Sequence, residues 1–437
     1  MRDLVILNGH LVDPAAAIDA PRDLLLRDGR VAAVDVPGAL RDVSDAEIVD
    51  ASGLVVAPGF VDIHVHLREP GQTYKETIAT GTRAAAAGGY TTVVAMPNTV
   101  PVNDSVATAQ WMQDPARDAV VNLFCMPAAT VGSMGAALTD FEALHDLAGA
   151  VGFTDDGKPI LDDAIMRAAL LAAARVGAPI SQHAEDTRLT GGCSMNAGPL
   201  AFRLGLRGMA VEAEARIVER DIALLREIEQ TEDLHPHLHV QHVSTARALN
   251  AIREAKRQGF HVTCEAAPHH FTLNENAIGD YDTNAKMNPP LRSENDRLAV
   301  IEAILDGTVD CIATDHAPHA AHEKEAEFER APNGITGLET ALGLALRVLH
   351  REHGLPLAKI VSLMSTNPAG LVLPKGFGTL QIGSRADLVL FDPAAEWSYT
   401  AARTRSKSKN TPFDGAPMLG QVRKTICGGK PVFTADF

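Results

Sequence analysis

Short apolar runs recur along the middle of the chain, each followed by a longer stretch with helical spacing. The runs at 60–66, 90–96, 121–126, 150–154, 179–183, 238–242, 260–266 and 309–315 have the length and residue content of strands. Between them Lys75–Ala87, Asp162–Arg175, Ala246–Gln258 and Leu338–His350 carry apolar residues at helical intervals. Eight strand–helix units over about 300 residues fit a (β/α)8 barrel better than a doubly wound sheet. The long gap at 184–237 is an insertion with its own helix, near Val211–Gln230. The two ends have a different texture. Leu4–Val12, Asp23–Val36 and Leu54–Ala57, and later Gly378–Phe391 and Gln421–Phe433, are strand-like segments punctuated by Gly, Pro and Asp. Neither end has enough strands for a sheet of its own. The expected fold is therefore α/β: a TIM-like barrel over 58–375 and a small β-sandwich domain assembled from 1–57 and 376–437.

A barrel presents its chemistry at the C-terminal ends of its strands, so the polar residues found there carry most information. The first strand ends in His64 and His66, which project to one face because strand residues i and i+2 do so. The fourth ends in Asp155-Asp156, the fifth in His183, the sixth in His242 and the eighth in Asp315. Any one of these suits a structural histidine or a turn aspartate. Four imidazoles and two carboxylates at one mouth suit metal-assisted hydrolysis. Two divalent ions sharing a hydroxide generate that nucleophile at neutral pH. One ion needs the first histidine pair, the other needs His183 and His242, and a strand-four anion must bridge them. Lys158 lies past Gly157, beyond the strand end, which favours an aspartate over a carboxylated lysine as the bridge.

Other polar clusters read as structural. His269-His270 would face opposite ways on a strand, one packed and the other supporting a ligand. His235, His237 and His239 fall mostly at the start of strand six, the wrong end of the barrel. The basic cluster Arg403-Thr404-Arg405-Ser406-Lys407-Ser408-Lys409 reads as a solvated loop.

Composition excludes several classes. The 437 residues carry a formal net charge of -16, which argues against nucleic acid or an anionic membrane as a partner. No apolar stretch reaches the length of a membrane span, and Met1-Arg2-Asp3-Leu4 does not begin a signal peptide. Five scattered cysteines without a CxxC pair read as reduced thiols. A cytoplasmic enzyme acting on a small molecule is expected.

Several segments together resemble one family. Asp62-Ile63-His64-Val65-His66-Leu67-Arg68-Glu69-Pro70-Gly71 and Ala313-Thr314-Asp315-His316-Ala317-Pro318-His319, followed by Lys324, resemble the two signatures of dihydroorotases. These belong to the amidohydrolase superfamily. Met96-Pro97-Asn98-Thr99, Phe153–Gly157, His183-Ala184-Glu185, Met195-Asn196 with Arg203–Leu206, Met287–Arg292 and Gly334–Thr340 resemble the bacterial long-chain type, so the likeness spans nearly the whole chain.

The resemblance implies reversible cyclisation of N-carbamoyl-L-aspartate to L-dihydroorotate in de novo pyrimidine (UMP) synthesis, with two zinc ions per subunit. It implies that His64, His66, His183, His242 and Asp315 ligate zinc and that Asp156 bridges the ions. Spacing alone does not choose between Asp155 and Asp156. An aspartate bridge is short and would hold the second ion less firmly. Asp315 would also take the hydroxide proton and pass it to the departing ring nitrogen. Arg68, Asn98 and His319 would hold the substrate carboxylate, a guanidinium being able to donate two parallel hydrogen bonds. His66, Asn288 and the backbone at Asn333 and Gly334 would complete the substrate contacts. A surface pair of Arg68 with Glu69, and turn roles for Asn98 and Asn288, are the plainer alternatives. Two other functions stand beside this one. One is a cyclic-amide hydrolase for a neutral ring: a dihydropyrimidinase, hydantoinase or allantoinase. The other is a non-catalytic dihydroorotase-like subunit that scaffolds aspartate transcarbamoylase. A homodimer, or association with that transcarbamoylase, is compatible with activity.

Overall fold

The computed structural model describes residues 2–435. Residues 1, 436 and 437 of the expected β-domain lie outside the described residues. The fold is α/β, with parallel sheets of three and four strands, a two-stranded parallel pair (Met195–Asn196 with Gly208–Met209) and a larger mixed sheet. Phe60–Val65, Tyr90–Ala95 and Asn122–Cys125 form a three-stranded parallel sheet. Pro179–Gln182, His237–Val240, Val262–Ala266 and Cys311–Ile312 form a four-stranded one. Phe60–Val65, Tyr90–Ala95, Pro179–Gln182 and Val262–Ala266 are buried at every residue, as parallel strands covered on both faces must be. Backbone hydrogen bonds also run between the two groups. Val151 N–H donates to Cys125 O (3.2 Å), Phe153 N–H to Pro179 O (3.1 Å) and His66 N–H to His316 O (2.9 Å).

Helices follow the strands, among them Ile78–Ala87, Asp163–Arg175, Glu212–Thr231, Ala246–Arg257 and Glu294–Leu305. Thr77, Asp162, Thr245 and Ser293 start four of these, each accepting first-turn N–H groups that have no partner within the helix. The buried faces are rich in alanine, such as Ala84, Ala85 and Ala86, which lets helix and sheet approach closely.

Two expected strands are reduced. The 150–154 segment pairs only through a bridge between Phe153 and Ile180. The 309–315 strand shrinks to Cys311–Ile312, because Thr314 N–H donates to Asp62 Oδ1 (3.1 Å) rather than to a neighbouring backbone. Leu338–His350 starts as a helix only at Ala341 and widens into π turns from Leu346 to Glu352.

Both chain ends enter one eight-stranded mixed sheet. Leu4–Asp13 pairs with Ile18–Arg27, Glu47–Asp50 and Val55–Pro58. Val55–Pro58 then pairs with Leu388–Ser398, which continues into Pro417–Cys427 and Lys430–Thr434. Leu4, Ile6, Leu24, Val56, Leu388 and Leu390 share one apolar cluster on it.

The basic cluster is not a solvated loop. Thr404, Ser406 and Ser408 are buried while Arg405, Lys407 and Lys409 face solvent, so the segment is a strap laid against the body of the protein. Arg405 N–H donates to Glu339 (2.6 Å), Lys407 N–H to Glu76 (3.0 Å) and Ser408 Oγ to Lys75 O (2.7 Å). Alternation of hydroxyl and cation gave the segment one buried and one wet side. Among the described residues no helix is long and apolar enough to cross a membrane.

Candidate active site

The strand ends bring His64, His66, Asp156, His183, His242 and Asp315 to one buried cluster. His64 Nε2 lies 3.4 Å from Asp156 Oδ1 and 3.5 Å from Asp315 Oδ1. His66 Nε2 lies 3.5 Å from Asp156 Oδ2 and 3.1 Å from Asp315 Oδ1. On the other side of Asp156, His183 Nδ1 and His242 Nε2 are each 3.8 Å from Oδ1 and 3.0 Å from one another. Asp156 therefore faces both histidine pairs, Oδ1 toward His64, His183 and His242 and Oδ2 toward His66. Asp155 turns away and accepts from Thr130 N–H (2.9 Å) and the Thr130 hydroxyl. Lys158 is exposed, its Nζ lying 4.0 Å from Met134 Sδ. Arg68, His242 and Asp315 have φ of 57°, 31° and 49°, a region costly for any residue with a Cβ.

The donor set fits divalent metal. Two ligands each ~2 Å from a tetrahedral ion are about 3.3 Å apart, close to the separations seen here. Three overlapping triads qualify: His64–His66–Asp156, His64–His242–Asp315 and Asp156–His183–His242. The electrostatics agree. Burial opposes charge on His64, but Glu265, Asp156 and Asp315 outweigh it and push its pKa up, so the site attracts a cation. His64 Nε2 is buried without a hydrogen-bond partner. With Nδ1 held by Glu265, Nε2 faces two carboxylates, an arrangement that a cation between them satisfies.

Glu265 is the residue that sequence reasoning missed. It accepts from His64 Nδ1 (2.5 Å), His239 Nε2 (3.2 Å) and His242 N–H (3.2 Å). Burial raises its pKa, yet the His64 and His239 charges beside it win and hold it well below the usual carboxylate range. A lone acid inside the wholly buried strand Val262–Ala266 was the available signal. His239, expected at the wrong end, reaches the centre through this carboxylate, and Thr263 Oγ1 (2.8 Å) holds its other nitrogen. His269 and His270 sit on a short helix, Pro268–Thr272, not on a strand, because Pro268 is placed at a helix start.

Glu185 plays a similar part for His183. It lies 3.0 Å from His183 Nε2 and accepts from Asn288 Nδ2 (2.8 Å). Burial raises its pKa, but the bond and charge of His183 bring it down to about 2. Asn288 lines the cavity with Met287 and Asn333, and its Oδ1 is buried without a partner.

The opposite wall is cationic. Arg68 Nε donates to Pro318 O (3.1 Å) and its Nη2 lies 3.3 Å from His319 Nε2. Lys75 Nζ lies 3.3 Å from His319 Nδ1. Burial and the charges of Arg68, Lys75 and Lys324 lower the His319 pKa to about 2, so the ring is neutral. Its two ring nitrogens lie against Lys75 Nζ and Arg68 Nη2, which can only donate. Such donors make this a wall where a carboxylate would accept. Glu69 instead accepts from Ile78 N–H (2.8 Å), so no Arg68–Glu69 surface pair forms. Asn98 Oδ1 lies 2.8 Å from His66 Nδ1 and so steers a ligand as well as lining the cavity. Gly334 packs edge-on to His319: a Cβ there would meet its Cδ2 at 2.7 Å.

Comparison with known proteins agrees with this chemistry. A "Dihydro-orotase-like" family model matches residues 53–248 and an "Amidohydrolase family" model residues 209–432. A dihydroorotase of Geobacter sp. (strain M21) is 46% identical over 434 residues, covering 99% of this chain and 100% of its own. The chain belongs to the dihydroorotase family. A second member, from Anaeromyxobacter dehalogenans (strain 2CP-1), is 47% identical over 437 residues, covering 99% of this chain and 98% of its own. Among solved structures this dihydroorotase-family chain resembles the L-hydantoinase (dihydropyrimidinase) of Arthrobacter aurescens. The TM-score is 0.86 at 26% identity, over 99% of this chain and 96% of that one. The dihydropyrimidinase of Brevibacillus agri NCHU1002 shares the fold, with a TM-score of 0.84 at 24% identity over 99% and 95%.

Proposed function

We propose that this chain is a cytoplasmic, zinc-dependent dihydroorotase that interconverts N-carbamoyl-L-aspartate and L-dihydroorotate. The observation that carries the reading is the pairing of a six-residue cluster of candidate metal ligands, five of which line one cavity of about 240 Å³, with the Arg68–His319 corner of the same cavity. A neutral ring, the substrate type named for the hydantoinase neighbours, would bring no carboxylate to that buried guanidinium.

Two zinc ions held by His64, His66, His183, His242, Asp156 and Asp315, with Asp156 between them, would lower the pKa of water and polarise the ring amide carbonyl. A short aspartate bridge would hold the second ion the more weakly. Arg68, Asn98 and His319 bind the substrate carboxylate, and His66, Asn288 and the backbone at Asn333 and Gly334 hold the ring. That clamp keeps the amide carbon against the nucleophile. Asp315, 3.1 Å from His66 and opposite Asp156, takes the proton of the attacking water and delivers it to the departing ring nitrogen. Cyclisation uses the same groups in reverse order.

For the scaffold we infer a closed (β/α)8 barrel over 58–375 and a β-sandwich domain over 1–57 and 376–437. The backbone bonds of Val151, Phe153 and His66 that bridge the three- and four-stranded parallel sheets support closure.

The test is loss of dihydroorotate absorbance by zinc-loaded protein, with dihydrouracil, hydantoin and allantoin in parallel. Turnover confined to dihydroorotate is expected. Removing Arg68 deletes a charged hydrogen-bond donor worth about 1.5–3 kcal/mol, so Arg68→Ala should lower kcat/KM about 10- to 150-fold. Turnover of a neutral ring instead would move the chain to the hydantoinases. Zinc bound with no turnover of any ring would favour a scaffold for aspartate transcarbamoylase.

A further inference from the structure

The strap that ends at Asn410 closes over the cationic corner, and its last buried side chain does so with every polar atom engaged. Asn410 Oδ1 accepts from His319 N–H (2.9 Å), and Nδ2 donates to Ala317 O (3.0 Å) and Gly334 O (3.0 Å). Its own carbonyl accepts from Thr336 N–H (2.9 Å). One primary amide thus joins two separate chain segments, one carrying His319 and the other carrying Asn333 and Gly334. Those segments touch directly, since a Cβ on Gly334 would meet Ala317 O at 2.5 Å. Lys324 clamps the same loop from the other side, its Nζ donating to Pro332 O (2.9 Å) and Gly334 O (3.2 Å).

We propose that Asn410 is a positioning residue for recognition of the substrate carboxylate. It reaches neither the metal ligands nor the reacting carbonyl. It fixes the backbone from which His319 faces Arg68, and it holds the Gly334 edge against that ring. Only a side chain with one acceptor and two donors on a short stem meets these three groups. Aspartate would keep the bond to His319 N–H but turn an oxygen toward two carbonyls. Alanine would leave one N–H and one carbonyl, that of Ala317, without this partner in a dry place. The inference rests on the dihydroorotase reading, because it needs a carboxylate for the corner to bind.

The experiment compares wild type, Asn410→Ala, Asn410→Asp and Thr404→Val as zinc-loaded full-length proteins. Thr404 anchors the far end of the strap on Glu339 and does not touch the corner. KM and kcat for dihydroorotate, zinc content and melting temperature are measured for each. Asn410→Ala should raise KM at least tenfold with kcat within about threefold and zinc content unchanged, and Asn410→Asp should raise it too. Thr404→Val should lower the melting temperature and leave KM alone. If Asn410→Ala does not fold, Asn410→Asp decides by the same criterion. An unchanged KM in the Asn410 variant, a loss confined to kcat, or an equal rise in KM for Thr404→Val overturns the positioning role. Failure of wild type to turn over dihydroorotate overturns the functional reading itself.

Discussion

Replacing Glu265 by glutamine tests whether the carboxylate behind His64 makes it a ligand. The glutamate accepts from both His64 Nδ1 and His239 Nε2. A glutamine has one oxygen and one NH2 in the same space, so it can accept from only one of them through that oxygen. If the oxygen turns to His239, the NH2 faces His64 Nδ1. That ring is then stabilised as the other tautomer, with its proton on Nε2, where the metal must bind. If the oxygen turns to His64, a buried His239 N–H is opposed by a donor, at a cost of about 1–3 kcal/mol. Loss of an outer partner of a metal-bound histidine typically weakens binding 10- to 100-fold, about 1.4–2.7 kcal/mol. Competition with a fluorescent zinc chelator should show that weakening for at least one of two sites. Thermal unfolding without metal separates out any loss of fold stability. Wild-type affinity at both sites in a folded Glu265→Gln protein would refute the reasoning.

The adjacent aspartates should part company. Asp156→Asn should lose bound zinc and reduce turnover by orders of magnitude, whereas Asp155→Asn should lower the melting temperature through Thr130 and keep both zinc ions. Lys324 gives a pH dependence of stability. Burial and nearby Lys286 lower its pKa to about 7 in the folded chain, against ~10.4 when unfolded. The unfolded state therefore binds more protons between those values, and this group's contribution to stability rises with pH across that window. Urea unfolding from pH 7 to 10 should show a positive slope that Lys324→Met reduces; an equal slope in both proteins would show that Lys324 is not its source.

What the sequence disclosed depended on how each residue is satisfied. His64, His66, His183 and His242 stood out because imidazoles at the ends of apolar strands are conspicuous, and the runs around them needed no partner to be read. The strand near Asp315 was overestimated because Asp62, distant in sequence, takes the Thr314 N–H. The strap was misread because its charges are more visible than the hydroxyls between them. Glu265 was overlooked for a related reason: its meaning lies in His64, 201 residues away, and no local pattern records that pairing. The choice of Asp156 over Asp155 was also tertiary, since Thr130 claims the other carboxylate.

Asn410 lies 91 residues after the His319 whose backbone it holds. All six candidate metal ligands precede His319, so they leave the ribosome first. At a synthesis rate of ~5–20 residues per second, roughly 5–20 s pass between the two emergences. During that interval a nascent chain carries all six candidate metal ligands but not the amide that squares the corner around His319. The order of the chain thus sets every candidate ligand ahead of the amide that completes the corner.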